Sequence, residues 1–61
     1  MTIIFFDKLR ETYKRVDNAL AMNSIQLKSN GRLTNLWYVI KDNGLSETYK
    51  QKDFTIHRIE E

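Results

Sequence analysis

The sequence predicts an all-β protein of five to six short antiparallel strands. Three observations support this fold class. Both glycines follow an asparagine, and an Asn-Gly pair between apolar runs is the strongest local signal for a β-hairpin. Several segments alternate between apolar and polar residues, which is the pattern of a half-buried strand. The tetrapeptide Glu-Thr-Tyr-Lys also occurs twice, and its second copy closely follows one of the Asn-Gly pairs.

The Asn43-Gly44 pair gives the clearest predicted hairpin. Apolar and aromatic residues surround it, and they predict strands over residues 35–42 and 45–51. A two-residue loop at this pair places Tyr38 opposite Tyr49 in the predicted sheet. This register decides which side chains of the two strands share a face.

Two further strands are predicted in the second half of the chain. Residues 24–28 alternate, with Ile25 and Leu27 on one face, and they end just before Asn30-Gly31. Residues 54–59 form a closing strand that is rich in β-branched and aromatic side chains. The C-terminal half is therefore predicted to be β throughout.

The repeated tetrapeptide extends the β prediction to the N-terminal half. The segments 9–17 and 45–53 agree at six of nine positions. Because similar local sequence favours similar local structure, the first copy is predicted to be the return strand of a hairpin. In this hairpin, residues 3–6 turn at Asp7-Lys8 into a strand over 9–15.

A short strand at 19–22, leading to Asn23-Ser24, completes the predicted set of strands. The expected architecture is a small antiparallel SH3-like barrel or curled meander, in one domain that spans residues 1–61.

Residues 7–22 also fit a helix, which defines an alternative fold. Apolar residues recur there at spacings of three and four, at Phe6, Leu9, Tyr13, Val16 and Leu20. In this alternative, one helix near 7–22 packs on a three- to four-stranded antiparallel sheet, and the class becomes α+β.

The composition argues against catalysis and against a bound cofactor or metal. The chain has no cysteine and a single histidine, His57, so thiolate sites and histidine clusters are excluded within one chain. No arrangement of a nucleophile and a base is visible around this histidine, and the carboxylates are scattered. We therefore predict that the protein is not an enzyme.

Charge and hydropathy also limit the expected cellular location and the expected class of partner. Ten basic and eight acidic residues give a net charge of +2, which does not require a nucleic-acid partner. The apolar runs at 3–6 and 36–40 are too short for a signal peptide or a membrane span. We expect a cytoplasmic protein with no membrane partner.

An aromatic patch is the leading candidate for a binding site. Residues 36–40 are apolar on both faces of their strand. If Leu36, Tyr38 and Ile40 point inward, then Trp37 and Val39 point outward. An outward Trp among apolar residues is typical of a protein interface. The predicted partner-binding residues are Trp37, Tyr38, Val39 and Phe5. The partner is expected to be a protein, and the same patch could form a homodimer, because a thin core is often stabilised by self-association.

Nucleic-acid binding is the alternative function. Six basic residues fall largely on the polar faces of the predicted strands: Arg10, Lys14, Lys28, Lys41, Lys50 and Lys52. Trp37 beside them could stack on a base, as aromatic residues do in small barrels that bind single strands. Carboxylates are interleaved with these cations, however, which is typical of a solvated surface. A protein partner is therefore preferred.

Two broad resemblances add expectations. The plan of a short two-hairpin β chain with a mid-chain Trp is similar to that of small archaeal chromatin proteins with SH3-like barrels, although their lysine content and C-terminal helix are missing. The size and the Asn, Lys, Ile and Thr usage resemble accessory proteins of phages and mobile elements. That second resemblance implies a protein that binds and modulates one host protein.

Overall fold

A computed structural model describes residues 1–61 and shows an all-β fold. Its six strands are β1 (Thr2–Asp7), β2 (Thr12–Val16), β3 (Ala19–Ser29), β4 (Arg32–Lys41), β5 (Ser46–Lys50) and β6 (Phe54–Glu60). The predicted fold class is confirmed, and the alternative helix over 7–22 is wrong. That segment instead forms the β1–β2 turn, β2 and the start of β3, where pairing with β1 and β4 overrides the helical spacing and only Val16 of its apolar residues at that spacing is buried in the core.

The strands form two three-stranded antiparallel sheets. We call β2-β1-β6 the first sheet and β3-β4-β5 the second sheet, each in its spatial order. Main-chain hydrogen bonds of 2.8 Å join the sheets where Met1 and Ala19 each donate to the other's carbonyl oxygen. The structure contains no helix long and apolar enough to span a membrane.

The turn between β1 and β2 is longer than the sequence predicts. Asp7 pairs with Thr12, so four residues connect the strands instead of the tight turn predicted at Asp7-Lys8. The Asp7 carboxylate accepts hydrogen bonds from the main-chain N–H groups of Leu9 at 3.0 Å and Arg10 at 3.3 Å. An aspartate that binds its own following backbone in this way defines the turn locally.

Strand β3 is one continuous strand of 11 residues. It joins the two strands predicted at 19–22 and 24–28, because Asn23 pairs with Tyr38 and Ser24 pairs with Trp37 within the β3–β4 hairpin. The hairpin of β3 and β4 is the longest pairing in the protein, and its end extends past the last residue of β5.

Both Asn-Gly pairs form turns, but of different lengths. Asn30-Gly31 is a two-residue turn in which both residues have positive φ, 50° and 76°. The other loop has three residues, 42–44, and ends on Gly44 at φ 85°. It closes with a hydrogen bond from the Lys41 N–H to the Leu45 carbonyl oxygen at 2.8 Å.

The extra loop residue changes the register between β4 and β5. Tyr49 lies opposite Trp37, and Tyr38 lies opposite Thr48, so the predicted pairing of Tyr38 with Tyr49 is wrong. Because side chains alternate along a strand, a shift of one residue moves every side chain of β5 to the other face. Tyr49 therefore shares a face with Trp37.

The hydrophobic core lies between the two sheets. Its fully packed members are Ile3, Phe5, Val16, Ala19, Val39 and Tyr49. The Phe5 ring lies at the centre, with its centroid 4.8 Å from Tyr49 and 6.2 Å from Phe54. Residues from both sheets thus contribute to one core.

Candidate functional site

Two of the predicted partner-binding residues belong to the core. Phe5 and Val39 have no exposed surface, and both pack between the sheets. Their assignment to an exposed patch is wrong. The first sheet packs on the face of β4 that carries Val39, which is the face that the sequence interpretation assigned to the outside.

Trp37 also points toward the first sheet. Its indole N–H donates a hydrogen bond to the main-chain carbonyl oxygen of Phe54 at 3.1 Å, and its ring is packed against the core cluster. Tyr38, the next residue, alternates to the opposite side of β4. Of the four predicted residues, Tyr38 is the one that the structure places on the outside of the second sheet.

The outer face of the second sheet is an apolar surface that no other element of the chain covers. Its register pairs Ile25 with Leu36 and Ala21 with Ile40. Leu36 is only 8% exposed and lies outside the core cluster between the sheets, so it adds little accessible surface to this face. We define the outer face by its apolar members: Ala21, Ile25, Leu27, Leu36, Tyr38 and Ile40.

The charge on the outer face has one sign. The outward positions of β3, β4 and β5 include Arg32 and Lys50 but no carboxylate. Both cations lie toward the end where the β3–β4 hairpin extends past β5. The face therefore combines apolar side chains, mainly on β3 and β4, with uncharged polar ones, and it is positive at one end.

A groove continues this positive end. It has a volume of about 500 Å³ and runs beside the part of β4 that β5 does not reach. Seven residues line it: Arg32, Leu33, Thr34, Asn35, Lys50, Gln51 and Lys52. Three of these are cationic and none is acidic, so the groove suits negatively charged groups.

The six predicted nucleic-acid-binding residues do not form one patch. Lys50 and Lys52 lie together at the groove, whereas Arg10 is in the β1–β2 turn of the other sheet. Lys41 is 3.8 Å from the Glu47 carboxylate, so its charge is partly neutralised. Lys14 lies on β2, with its Nζ 5.8 Å from the Tyr49 ring centroid, and Lys28 lies on β3 opposite Leu33, one of the groove residues. Arg32, which completes the groove, was not among the predicted residues.

The first sheet carries a smaller exposed aromatic cluster. The ring centroids of Phe6 and Tyr13 are 5.3 Å apart, and those of Tyr13 and His57 are 4.8 Å apart. His57 is the extra residue of an irregularity in the pairing of β1 with β6, and bulges commonly redirect a side chain. This cluster lies on the side of the molecule opposite the outer face.

Tyr49 has a strongly shifted ionisation. Burial raises the pKa of its phenol to about 12, and the nearby negative charge of Glu47 adds to the shift. The hydroxyl also donates a hydrogen bond to Glu47 Oε2 at 3.1 Å. The phenol is therefore held in its neutral, protonated form by the fold.

We expect this ionisation to make the protein sensitive to alkali. The folded-state pKa of about 12 exceeds the ordinary value of 10.0, so Tyr49 stabilises the fold fully below pH 10 and loses this contribution as pH rises to about 12. Urea unfolding across that window should show a steeper loss of stability for the wild type than for Tyr49→Phe. Parallel curves would mean that Tyr49 does not contribute.

The outer face could have been found from the sequence only in part. Alternation within 36–40 separates Trp37 and Val39 from Leu36, Tyr38 and Ile40, but both sets are apolar. The sequence does not indicate which of the two sets packs against the other sheet.

Comparison with known proteins finds no matching family model, no matching characterised protein and no matching solved structure.

Proposed function

We propose that the protein is a non-enzymatic binding module that docks on a partner protein through the outer face of the second sheet. The observation that carries this proposal is the set of partly or fully exposed apolar side chains on that face, Tyr38 and Ile40 on the central strand and Ile25 and Leu27 on β3. Contiguous apolar surface of this kind on a small protein is typical of an interaction site. Accessory proteins of phages and mobile elements, which the composition resembles, act by such binding.

The charge distribution indicates the chemistry of the partner. Arg32 and Lys50 form a positive end with no carboxylate among the outward positions around it. A complementary partner presents apolar side chains to the middle of the outer face and carboxylates to this end. Opposite charges at the edge of an interface mainly accelerate association and select the orientation of the partner.

Nucleic acid is the less favoured partner for a structural reason. Trp37 is the expected stacking residue, but its indole N–H donates a hydrogen bond to the Phe54 carbonyl oxygen and its ring packs against the core. Tyr38 is then the one aromatic side chain on the outer face. The cations concentrate at one end of the face instead of following it, whereas binding a nucleic-acid backbone requires a basic stripe.

The proposal is tested with one pair of matched variants. Ile40→Glu places a charge on the central strand at the apolar end of the outer face, whereas Leu9→Glu makes a similar change at a 78% exposed turn residue on the first sheet. Partner proteins are captured from a lysate of the source cells and purified, and their affinity is measured by calorimetry. We expect Ile40→Glu to weaken binding at least about tenfold and Leu9→Glu to leave it unchanged.

A photo-crosslinking amino acid locates the contact independently. Placed at Tyr38 it should crosslink the purified partner, and placed at Tyr13 it should not. Equal crosslinking at both positions, or full binding by Ile40→Glu, would contradict the proposal. Binding of a labelled oligonucleotide that weakens steeply with salt and is lost on Arg32→Gln would replace the protein partner by nucleic acid.

A further inference from the structure

Strand β3 exposes an unusually long free edge. It is an outer strand of the second sheet, with β4 as its single strand neighbour. Beyond Ala19, which exchanges hydrogen bonds with Met1, its main chain makes no hydrogen bond outside its pairing with β4. No side chain bonds to the main chain of this edge, and the one side-chain hydrogen bond of the strand is the one that the Ser24 hydroxyl accepts from the Gln51 amide at 2.7 Å. Half of the main-chain polar groups over most of the strand are therefore open to solvent.

The two-residue turn fixes which residues face the free edge. Ser29 and Arg32 flank Asn30-Gly31 and form the closing hydrogen-bonded pair, so odd-numbered residues of β3 bond to β4. The main-chain groups of the even-numbered residues point the other way. The same parity holds on β4, where the Asn35 carbonyl oxygen faces away from β3 and accepts the Gln51 N–H at 3.0 Å.

The usual protections of a free edge are sparse here. Natural edges carry prolines, several charges, bulges or a covering loop. The segment 22–28 has no proline, and its one charged residue is Lys28. The irregularity in the pairing of β3 lies before this segment, between Ala19 and Ala21. Most of its side chains are exposed, so a second strand can approach.

We propose that two copies of the chain form a homodimer by antiparallel pairing of their β3 edges. Pairing the whole of 22–28 with itself places the two-fold axis at Ile25. Met22 then lies opposite Lys28 of the other copy, and Ser24 lies opposite Gln26. The even-numbered residues contribute about eight intermolecular main-chain hydrogen bonds in this register.

The side chains are compatible with this two-fold register. Ile25 meets Ile25 of the other copy, which is a favourable apolar cross-strand pair. Lys28 lies opposite an uncharged residue, so no like charges are brought together. The two second sheets become one six-stranded sheet, and the two outer faces become continuous. Dimerisation uses the edge of the sheet and leaves the centre of the outer face free.

Proline at Gln26 tests the proposal directly. Its N–H points to the free edge, so Gln26→Pro removes an intermolecular donor without removing a bond to β4. Sedimentation equilibrium should show a wild-type dimer, and Gln26→Pro should raise the dimer dissociation constant at least about tenfold. Gln26→Ala is the matched control and should remain dimeric. A monomeric wild type at high concentration would overturn the proposal, as would a Gln26→Pro dimer of full strength.

A cysteine scan decides the question even if the proline variant fails to fold. The chain has no cysteine, so each single variant reports one contact. Opposed residues of a non-hydrogen-bonded pair have Cα atoms about 4.5 Å apart, within disulfide range. Ile25→Cys should oxidise rapidly to a covalent dimer, and Ile40→Cys, on the same face, should not. Equal rates for both variants would overturn the register. Ile40→Glu should lose the partner and keep the dimer, which separates this proposal from the proposed function.

Discussion

Replacing Phe5 with alanine is expected to unfold the protein. Phe5 has no exposed surface, and its ring lies against Tyr49 and Phe54 from the opposite sheet and from the neighbouring strand. Removing a buried phenylalanine costs about 3–5 kcal/mol. A domain of this size has a total free energy of unfolding of about 3–5 kcal/mol, so the substitution removes stability comparable to that total. Circular dichroism and urea unfolding measure the effect.

Phe6→Ala is the control for this prediction. Phe6 neighbours Phe5 on β1 but points to the outer side of the first sheet, where it packs against Tyr13. We expect it to lower the free energy of unfolding by only about 1 kcal/mol, since its ring stays partly in water. A Phe5→Ala protein that remains as stable as Phe6→Ala would contradict the assignment of Phe5 to the core.

Trp37→Ala is expected to produce the second large loss of stability. The indole fills space between the sheets, and its N–H satisfies the Phe54 carbonyl oxygen. Truncation leaves a cavity and an unpaired acceptor, which together cost about 2–4 kcal/mol for a partly buried side chain. Because Trp37 is the single tryptophan, its fluorescence reports its own burial. The emission of the folded wild type should be blue-shifted relative to that of the unfolded chain.

Two variants separate the contributions of Trp37. Trp37→Phe keeps an aromatic ring and removes the donor, so it should cost about 1 kcal/mol. Tyr38→Ala, on the other face of the same strand, should cost less than Trp37→Ala while it weakens partner binding. If Trp37→Ala stayed fully folded and lost the partner, the indole would be the contact that the sequence interpretation assigned to it.

Local signals predicted the fold class well. Asn-Gly pairs specify turns because both residues tolerate positive φ, and both pairs do form turns between strands. The repeated tetrapeptide was also a correct guide to β structure, since both copies contribute to return strands. The two copies are not equivalent, however. Tyr13 is 61% exposed, whereas Tyr49 is 8% exposed and part of the core.

Loop length is where the sequence became ambiguous. The pair Asn43-Gly44 is compatible with a two-residue turn and with a three-residue loop that includes Asp42. The structure has the longer loop, and the difference of one residue moves Tyr49 to the face that carries Trp37. No local feature of the loop distinguishes these outcomes as clearly as the packing of Tyr49 against Phe5 does.

That the chain forms strands and hairpins follows from its sequence, because turn chemistry and alternation are local properties of a few residues. Which face of β4 is inside depends on the packing of the two sheets. Both faces of that strand are apolar, so its own sequence favours neither. The first sheet brings Phe5 and Ile3 to the side of Val39 and leaves Tyr38 and Ile40 outside. That choice depends on contacts between distant segments, and it placed the candidate site on the opposite face from the one predicted.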